Sequence, residues 1–171
     1  MTAKLPAERT KNARPHVLPL SDTAAAIIEL QPKRARDLIF GNGNEKGFSA
    51  WSSCKIRLDD RIAKANGGKP ITHWTPHDLR RTVATYAGGG LPEHQLKKLP
   101  LQDRDAASGL GIQPHVVEAI LNHVSGTRGG VAGVYNRSTY AAEKKVALEL
   151  WAARLRDIVE GHKNKIVALR A

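Results

Sequence analysis

The sequence predicts a mainly α-helical chain with a small β-hairpin at its N-terminal end. Three observations carry that expectation. Apolar residues recur at helical spacing in five segments bounded by capping or breaking residues. One pair of short extended pieces flanks a polar turn within the first twenty residues. The 171 residues, 41% of them apolar, suffice for one compact core and are few for two.

The hairpin is expected around Glu8-Arg9-Thr10-Lys11-Asn12-Ala13-Arg14-Pro15, with His16–Leu20 as its second strand. Asn12 is the residue suited to the special backbone angles of the turn. Ser21 or Asp22 then caps a helix that runs to Leu30 and stops before Pro32. A short apolar piece, Leu38–Phe40, meets the turn signal Gly41-Asn42-Gly43. From Ser49 the pattern is helical again, with Trp51, Cys54, Ile56, Leu58 and Ile62 mostly on one side, until Gly67-Gly68.

Thr75-Pro76-His77-Asp78 is a helix start: a capping hydroxyl, a proline at the first helical position, and an acid at the positive end of the dipole. This helix is expected to reach Ala87, before Gly88-Gly89-Gly90, with Leu79 and Val83 turned to the core. Residues 91–109 are polar, lack clear periodicity and read as a surface loop insertion. Pro114 starts a short helix with Val116, Val117, Ile120 and Leu121 inward, ending near His123. A mobile loop is expected at Ser125–Gly130. A long helix follows from about Thr139 to Glu160, with Ala147, Leu150, Trp151, Leu155 and Ile158 as its apolar face. Residues 162–171 form a basic tail with an apolar Ile166–Leu169 patch.

Lys and Arg number 27 against 16 Asp and Glu, a formal charge of +11. Such a surplus favours a polyanionic partner, because each neutralised phosphate releases condensed counterions, although a solvated basic surface explains it too. The single cysteine, Cys54, excludes an internal disulfide framework and any multi-cysteine zinc module. No run approaches the roughly 18 apolar residues of a membrane span, and nothing behind Lys4 resembles a secretory segment. A soluble, cytoplasmic protein without membrane contact is expected.

Two strings carry the chemistry. In His77-Asp78-Leu79-Arg80-Arg81-Thr82, His77 and Arg80 lie three apart and share a helix face, so together they can hold one phosphate. Ile120-Leu121-Asn122-His123 is followed, twelve residues beyond His123, by Val134-Tyr135-Asn136-Arg137. A tyrosine, whose phenol ordinarily has a pKa near 10, attacks phosphorus only if a strongly positive pocket takes its proton. Lys11, His77, Arg80 and His123 can supply that pocket. Taken singly, each string has a plainer explanation: a solvated first turn, or a tyrosine that merely packs.

In this order the strings resemble the tyrosine recombinase family, especially phage and genomic-island integrases. The similar segments are ERTKNARPHVLPLS (8–21), TPHDLRRTVAT (75–85) and 112–155, so that with the helices between them nearly all the chain but 91–109 and the tail is covered. The resemblance implies the DNA breaking-rejoining catalytic-domain fold over residues 1–171, in incomplete form. By the same resemblance, Tyr135 forms a phosphotyrosyl bond to a DNA 3′ end and Arg80 holds the non-bridging oxygens. His77 and His123 stabilise charge or shuttle protons there, and Lys11 protonates the departing 5′ oxygen. No metal or other cofactor is implied. Arg9, Arg14, Arg81 and Arg128 flank the site as candidate DNA contacts, and the implied partners are double-stranded DNA and further recombinase protomers bound to it.

The chain departs from the family pattern at two places. Asn122 stands where many members have glycine, which a helix end tolerates. The family's first catalytic arginine lies on a helix before the hairpin, and no residue ahead of Lys11 matches it. Losing one such donor costs at least about 3 kcal/mol, or on the order of 10²–10³ in rate, so little strand transfer is expected of the isolated chain. Three alternatives stand beside this expectation. Tyr140 or Tyr86 can replace Tyr135 as nucleophile. A metallo-hydrolase can use His73, His77, His115 and His123, although Pro76 interrupts the first pair and no HExxH is present. The chain can also be a non-catalytic module that binds DNA or recombinase subunits.

Overall fold

Thr2–Leu5 (β1) pairs antiparallel with His16–Pro19 (β2), in a register running from Thr2 opposite Pro19 to Leu5 opposite His16. The computed structural model describes residues 1–33, 38–41, 47–123 and 140–161. Strand alternation places His16 and Leu18 on one face of the hairpin and the exposed Val17 on the other. The connection contains a 3-10 turn, Ala7–Arg9, and is tied by Thr10, whose hydroxyl donates to the Arg14 carbonyl (2.7 Å) and accepts from the Arg14 amide (3.1 Å). The hairpin is where the sequence places it, but its left-handed residue is Ala13 (φ 51°) rather than Asn12. Asn12 instead uses its side chain: its Oδ1 accepts from the Arg14 amide at 3.2 Å, leaving the Nδ2 donor for a partner outside the hairpin.

By contacts the described residues divide into one compact unit drawn from 1–25, 77–123 and 140–161 and another drawn from 26–76. In the first, helix α1 (Asp22–Glu29) begins as predicted, with Ser21 Oγ accepting from the Ala24 amide at 3.2 Å. A remote acid completes the cap: Glu149 Oε1 accepts from the Asp22 amide at 2.9 Å. Lys145 Nζ links Asp22 (2.9 Å), Glu149 (2.5 Å) and the Leu20 carbonyl (3.1 Å). Hydrogen bonds to Glu149 and then Asp22 raise the Lys145 ammonium above its ordinary range, and the bond from Lys145 lowers the Asp22 carboxyl.

The core lies where α3 (Pro76–Ala87), α6 (Pro114–Ile120) and α7 (Ala141–Glu160) meet β2. Ala87, Val117 and Leu121 form one cluster, with Val83 and Ile112 against it. Val116, Ile120 and Ala147 form a second, with Leu18, Ile112 and Leu148 around it. The inward residues predicted for α6 are buried. Those predicted for α7 are corrected in part: Ala147 is buried, but Leu150, Leu155 and Ile158 are exposed, and the buried stripe is Lys144, Ala147 and Ala152. Small side chains at that spacing let α6 approach closely. Lys144, only 4% exposed, reaches past them to donate to the Val17 carbonyl at 2.5 Å, joining α7 to the hairpin. Leu79, expected in the core, is 59% exposed although it lies one helical turn before Val83, because the packing partners of α3 gather around Val83 and Ala87 further along the helix.

Residues 91–109 are not a structureless loop. They contain α4 (Glu93–Leu96) and α5 (Leu101–Ala107), and Arg104 donates to the Leu99 and Lys97 carbonyls, both at 3.1 Å. The neck of the insertion is closed by main-chain bonds: Leu91 N to Ala107 O (3.0 Å), and Leu110, Gly111 and Ile112 N to Tyr86, Gly88 and Ala87 O (each 2.9 Å). Two backbones cross there without room for a side chain. A Cβ on Gly109 would lie 2.0 Å from the Gly88 carbonyl oxygen, a main-chain atom that cannot rotate aside. Gly109→Ala is therefore expected to cost about 3 kcal/mol, as strong overpacking does, and to lower Tm by about 6–12 °C. Gly89→Ala, with nothing within 4 Å of its Cβ, is the control and should melt almost unchanged.

In the second unit, α2 (Trp51–Ala65) ends before Gly67 and Gly68, both at positive φ, as expected. Asp59 binds Lys55 Nζ (2.5 Å) and accepts from Trp74 Nε1 (2.9 Å), while the Lys55 ammonium lies 4.7 Å from the Trp74 ring centre. The hydrogen bond from Lys55, and then that from Trp74, hold the Asp59 carboxyl below its ordinary value of 3.8. A carboxyl depressed in the folded state stabilises it fully above the unfolded value and loses that contribution as pH falls through the folded one. Trp74 fluorescence, read with Trp51 and Trp151 changed to Phe, should hold steady down to about pH 4 and shift below it. In Asp59→Asn this acid transition should vanish.

Candidate active site

One open cleft of about 930 Å³ collects side chains from three distant parts of the first unit. The hairpin connection contributes Arg9, Lys11 and Asn12, β2 contributes His16 and Leu18, α3 contributes His77 and Arg80, and the turn after α6 contributes Asn122 and His123. Among the described residues, the ionisable groups lining it are two arginines, a lysine and three histidines, with no carboxylate. Such a surface suits a phosphodiester, whose charge fixed cations can hold without a metal ion.

Local structure explains each placement. Pro76 opens α3, so His77 lies in its exposed first turn and Arg80 one turn further on, along the same face. Arg80 is half-buried and its Nη2 donates to the Leu121 carbonyl, which ties α3 to the end of α6. Beyond Leu121 the chain reverses at Asn122, whose φ of 51° is a conformation that asparagine and glycine tolerate best. That reversal brings the His123 amide back to the Glu118 carbonyl at 2.9 Å and leaves the imidazole exposed at the cleft. Asparagine at this position thus tolerates the backbone that the turn requires.

Across the cleft, Asn12 Nδ2 donates to the Asn122 carbonyl at 3.0 Å, and Asn122 Nδ2 approaches Asn12 Oδ1 at 3.3 Å. Of the residues singled out in the sequence, Lys11, His77, Arg80, His123 and Arg9 are therefore brought together. Arg14 is exposed on the hairpin connection and Arg81 is exposed and paired with Asp78 at 3.3 Å; neither lines the cleft. Tyr135 and Arg128 lie outside the described residues, as do the loop expected at 125–130 and the tail. Tyr140 is buried, with its ring 4.9 Å from that of His115 at the start of α7, and Tyr86 is half-buried; neither lines the cleft. His16 was not singled out, and Asn12 was singled out for the turn but not for the site. Strand alternation, which puts His16 on the face of Leu18, is the signal for the first, whereas no local pattern announces the second.

The chain is 28% identical over 168 residues to "Prophage integrase IntA" of Escherichia coli (strain K12), covering 95% of this chain and 34% of that protein. It is 29% identical over 168 residues to "Prophage integrase IntZ" of the same strain, covering 96% of this chain and 34% of that protein. This supports a phage integrase relationship. No family model and no solved structure matches the chain. The mainly helical architecture with its two-stranded antiparallel sheet is compatible with that relationship, and the chain spans about a third of each relative's length. Among the described residues, no helix is long and apolar enough to cross a membrane.

Proposed function

We propose that this chain takes part in site-specific DNA recombination, cleaving and rejoining a strand through a tyrosine ester. The Tyr135 oxygen attacks the scissile phosphorus, its proton passing to the histidine-lined pocket or to water. The bond to the 5′ oxygen breaks, and that oxygen takes a proton from Lys11. The 3′ phosphate remains on the tyrosine. One phosphodiester is exchanged for another, so attack by a 5′ hydroxyl reverses the step without ATP. Arg80 and the imidazoles of His77 and His123 hold the non-bridging oxygens as negative charge accumulates. The partner is double-stranded DNA, with other recombinase protomers on it.

What carries this proposal is the cleft in which Lys11, His77, Arg80 and His123 converge from segments far apart in sequence, with no carboxylate among the described residues that line it. The similarity to two prophage integrases supports it independently. The test is a duplex carrying a nick beside the scissile phosphate, so that the short 5′-hydroxyl strand diffuses away after cleavage and the tyrosine ester accumulates. Long single-turnover incubation keeps slow cleavage visible. A DNA adduct that survives denaturing electrophoresis is the expected result. Salt-dependent gel shifts with no adduct would replace the proposal with a DNA-binding module that lacks strand chemistry.

A further inference from the structure

We propose that Asn12 is a positioning residue: its amide locks the hairpin connection onto the 121–123 turn, so that Lys11 meets the same phosphate as Arg80 and His123. The inference rests on the function proposed above. Lys11 is exposed on a ten-residue connection between β1 and β2, and among its described neighbours Asn12 is the side chain that reaches beyond the hairpin.

The two ends of the Asn12 amide have different tasks. Oδ1 accepts from the Arg14 amide at 3.2 Å, which shapes the local turn, and takes a second, longer bond from Asn122 Nδ2 at 3.3 Å. Nδ2 spans 110 residues of sequence to the Asn122 carbonyl at 3.0 Å. The carbonyl before it, that of Leu121, accepts from Arg80. Successive carbonyls of one turn are thus held by the two walls facing it, the hairpin through Asn12 and α3 through Arg80. Since Lys11 precedes Asn12 and His123 follows Asn122, fixing the asparagines fixes their neighbours. The left-handed backbone at Asn122 (φ 51°) turns its carbonyl toward the hairpin, which a right-handed continuation of α6 would not do.

The test separates the local task from the distant one. In Asn12→Ser a hydroxyl can still accept from the turn amide but is too short to reach Asn122. In Asn122→Gly the left-handed backbone and its carbonyl remain, so the main bond from Asn12 is kept. Affinity for a duplex oligonucleotide is measured from about 50 to 200 mM salt, where the slope of log K against log salt changes by about 0.9 per phosphate contact. Asn12→Ser should lower the slope by about one contact, as Lys11→Ala does, and the double variant should lower it no further. Asn122→Gly, which loses only the 3.3 Å bond to Asn12 Oδ1, should lower the slope by less than Asn12→Ser does. Thermal melting accompanies each variant; should Asn12→Ser melt early, Asn12→Gln, which displaces the amide by one methylene, takes its place with the same expectation.

A wild-type slope in Asn12→Ser, or additive losses in the double variant, would overturn the clamp while leaving the proposed function in place. Failure of the unaltered chain to bind DNA would instead remove the proposed function and the clamp with it.

Discussion

The Tyr135→Phe variant is expected to yield no covalent DNA adduct while binding the same duplex within about twofold of the unaltered chain. The substitution removes one oxygen and no charge. Affinity depends on the cations, and the described cations of the cleft come from residues 9–123. The adduct depends on a nucleophile, which phenylalanine lacks. Tyr140→Phe should still trap DNA, because Tyr140 is buried beside His115 and its ring serves the start of α7. Denaturing gels of the labelled nicked duplex separate the cases. Trapping that persists in Tyr135→Phe and disappears in Tyr140→Phe would reassign the nucleophile.

Arg80→Ala should slow single-turnover cleavage by about 10²–10³, as removal of one preorganised donor to a developing oxyanion does. A guanidinium has five N–H donors in a planar fork, so Arg80 can keep its bond to the Leu121 carbonyl and still offer a pair of donors to a phosphate. A lysine ammonium has the charge without the fork. Arg80→Lys should therefore recover less than about tenfold of the lost rate. Alanine also leaves the part-buried Leu121 carbonyl without this donor, at a cost of about 1–3 kcal/mol, so the variant should melt earlier as well as react more slowly. Arg81→Ala provides the contrast: its guanidinium is exposed, paired with Asp78 and outside the cleft, so the cleavage rate should stay close to wild type. Equal losses in the two variants would mean that net charge, not the placed guanidinium, governs the reaction.

The helices that were legible in the sequence are those with end signals. Ser21 before α1, Pro76 at the start of α3, Pro114 at the start of α6 and Gly161 after α7 act on their own turns of backbone, so a local pattern is enough to locate them. α4 and α5 escaped because, unlike the equally short α6, they carry too few large apolar residues to mark a helix face. The exposed Leu150, Leu155 and Ile158 show a different limit. Periodicity says that a helix has an apolar stripe, but which stripe faces the core depends on how closely its neighbour approaches, and here alanines permit the approach.

For the candidate site, the order of the strings along the chain and their resemblance to a recombinase pattern were enough to nominate Lys11, His77, Arg80 and His123, whereas each of these residues taken singly is as readily explained by a solvated surface. Their convergence was decided by tertiary structure. The glycine-lined neck closes the 91–109 insertion so that α3 and α6 remain neighbours, and the Asn12 amide joins the hairpin to a turn 110 residues away. Bonds of that span leave no periodic trace in a sequence, since each partner has an ordinary local environment and acquires its role only when the chain has folded.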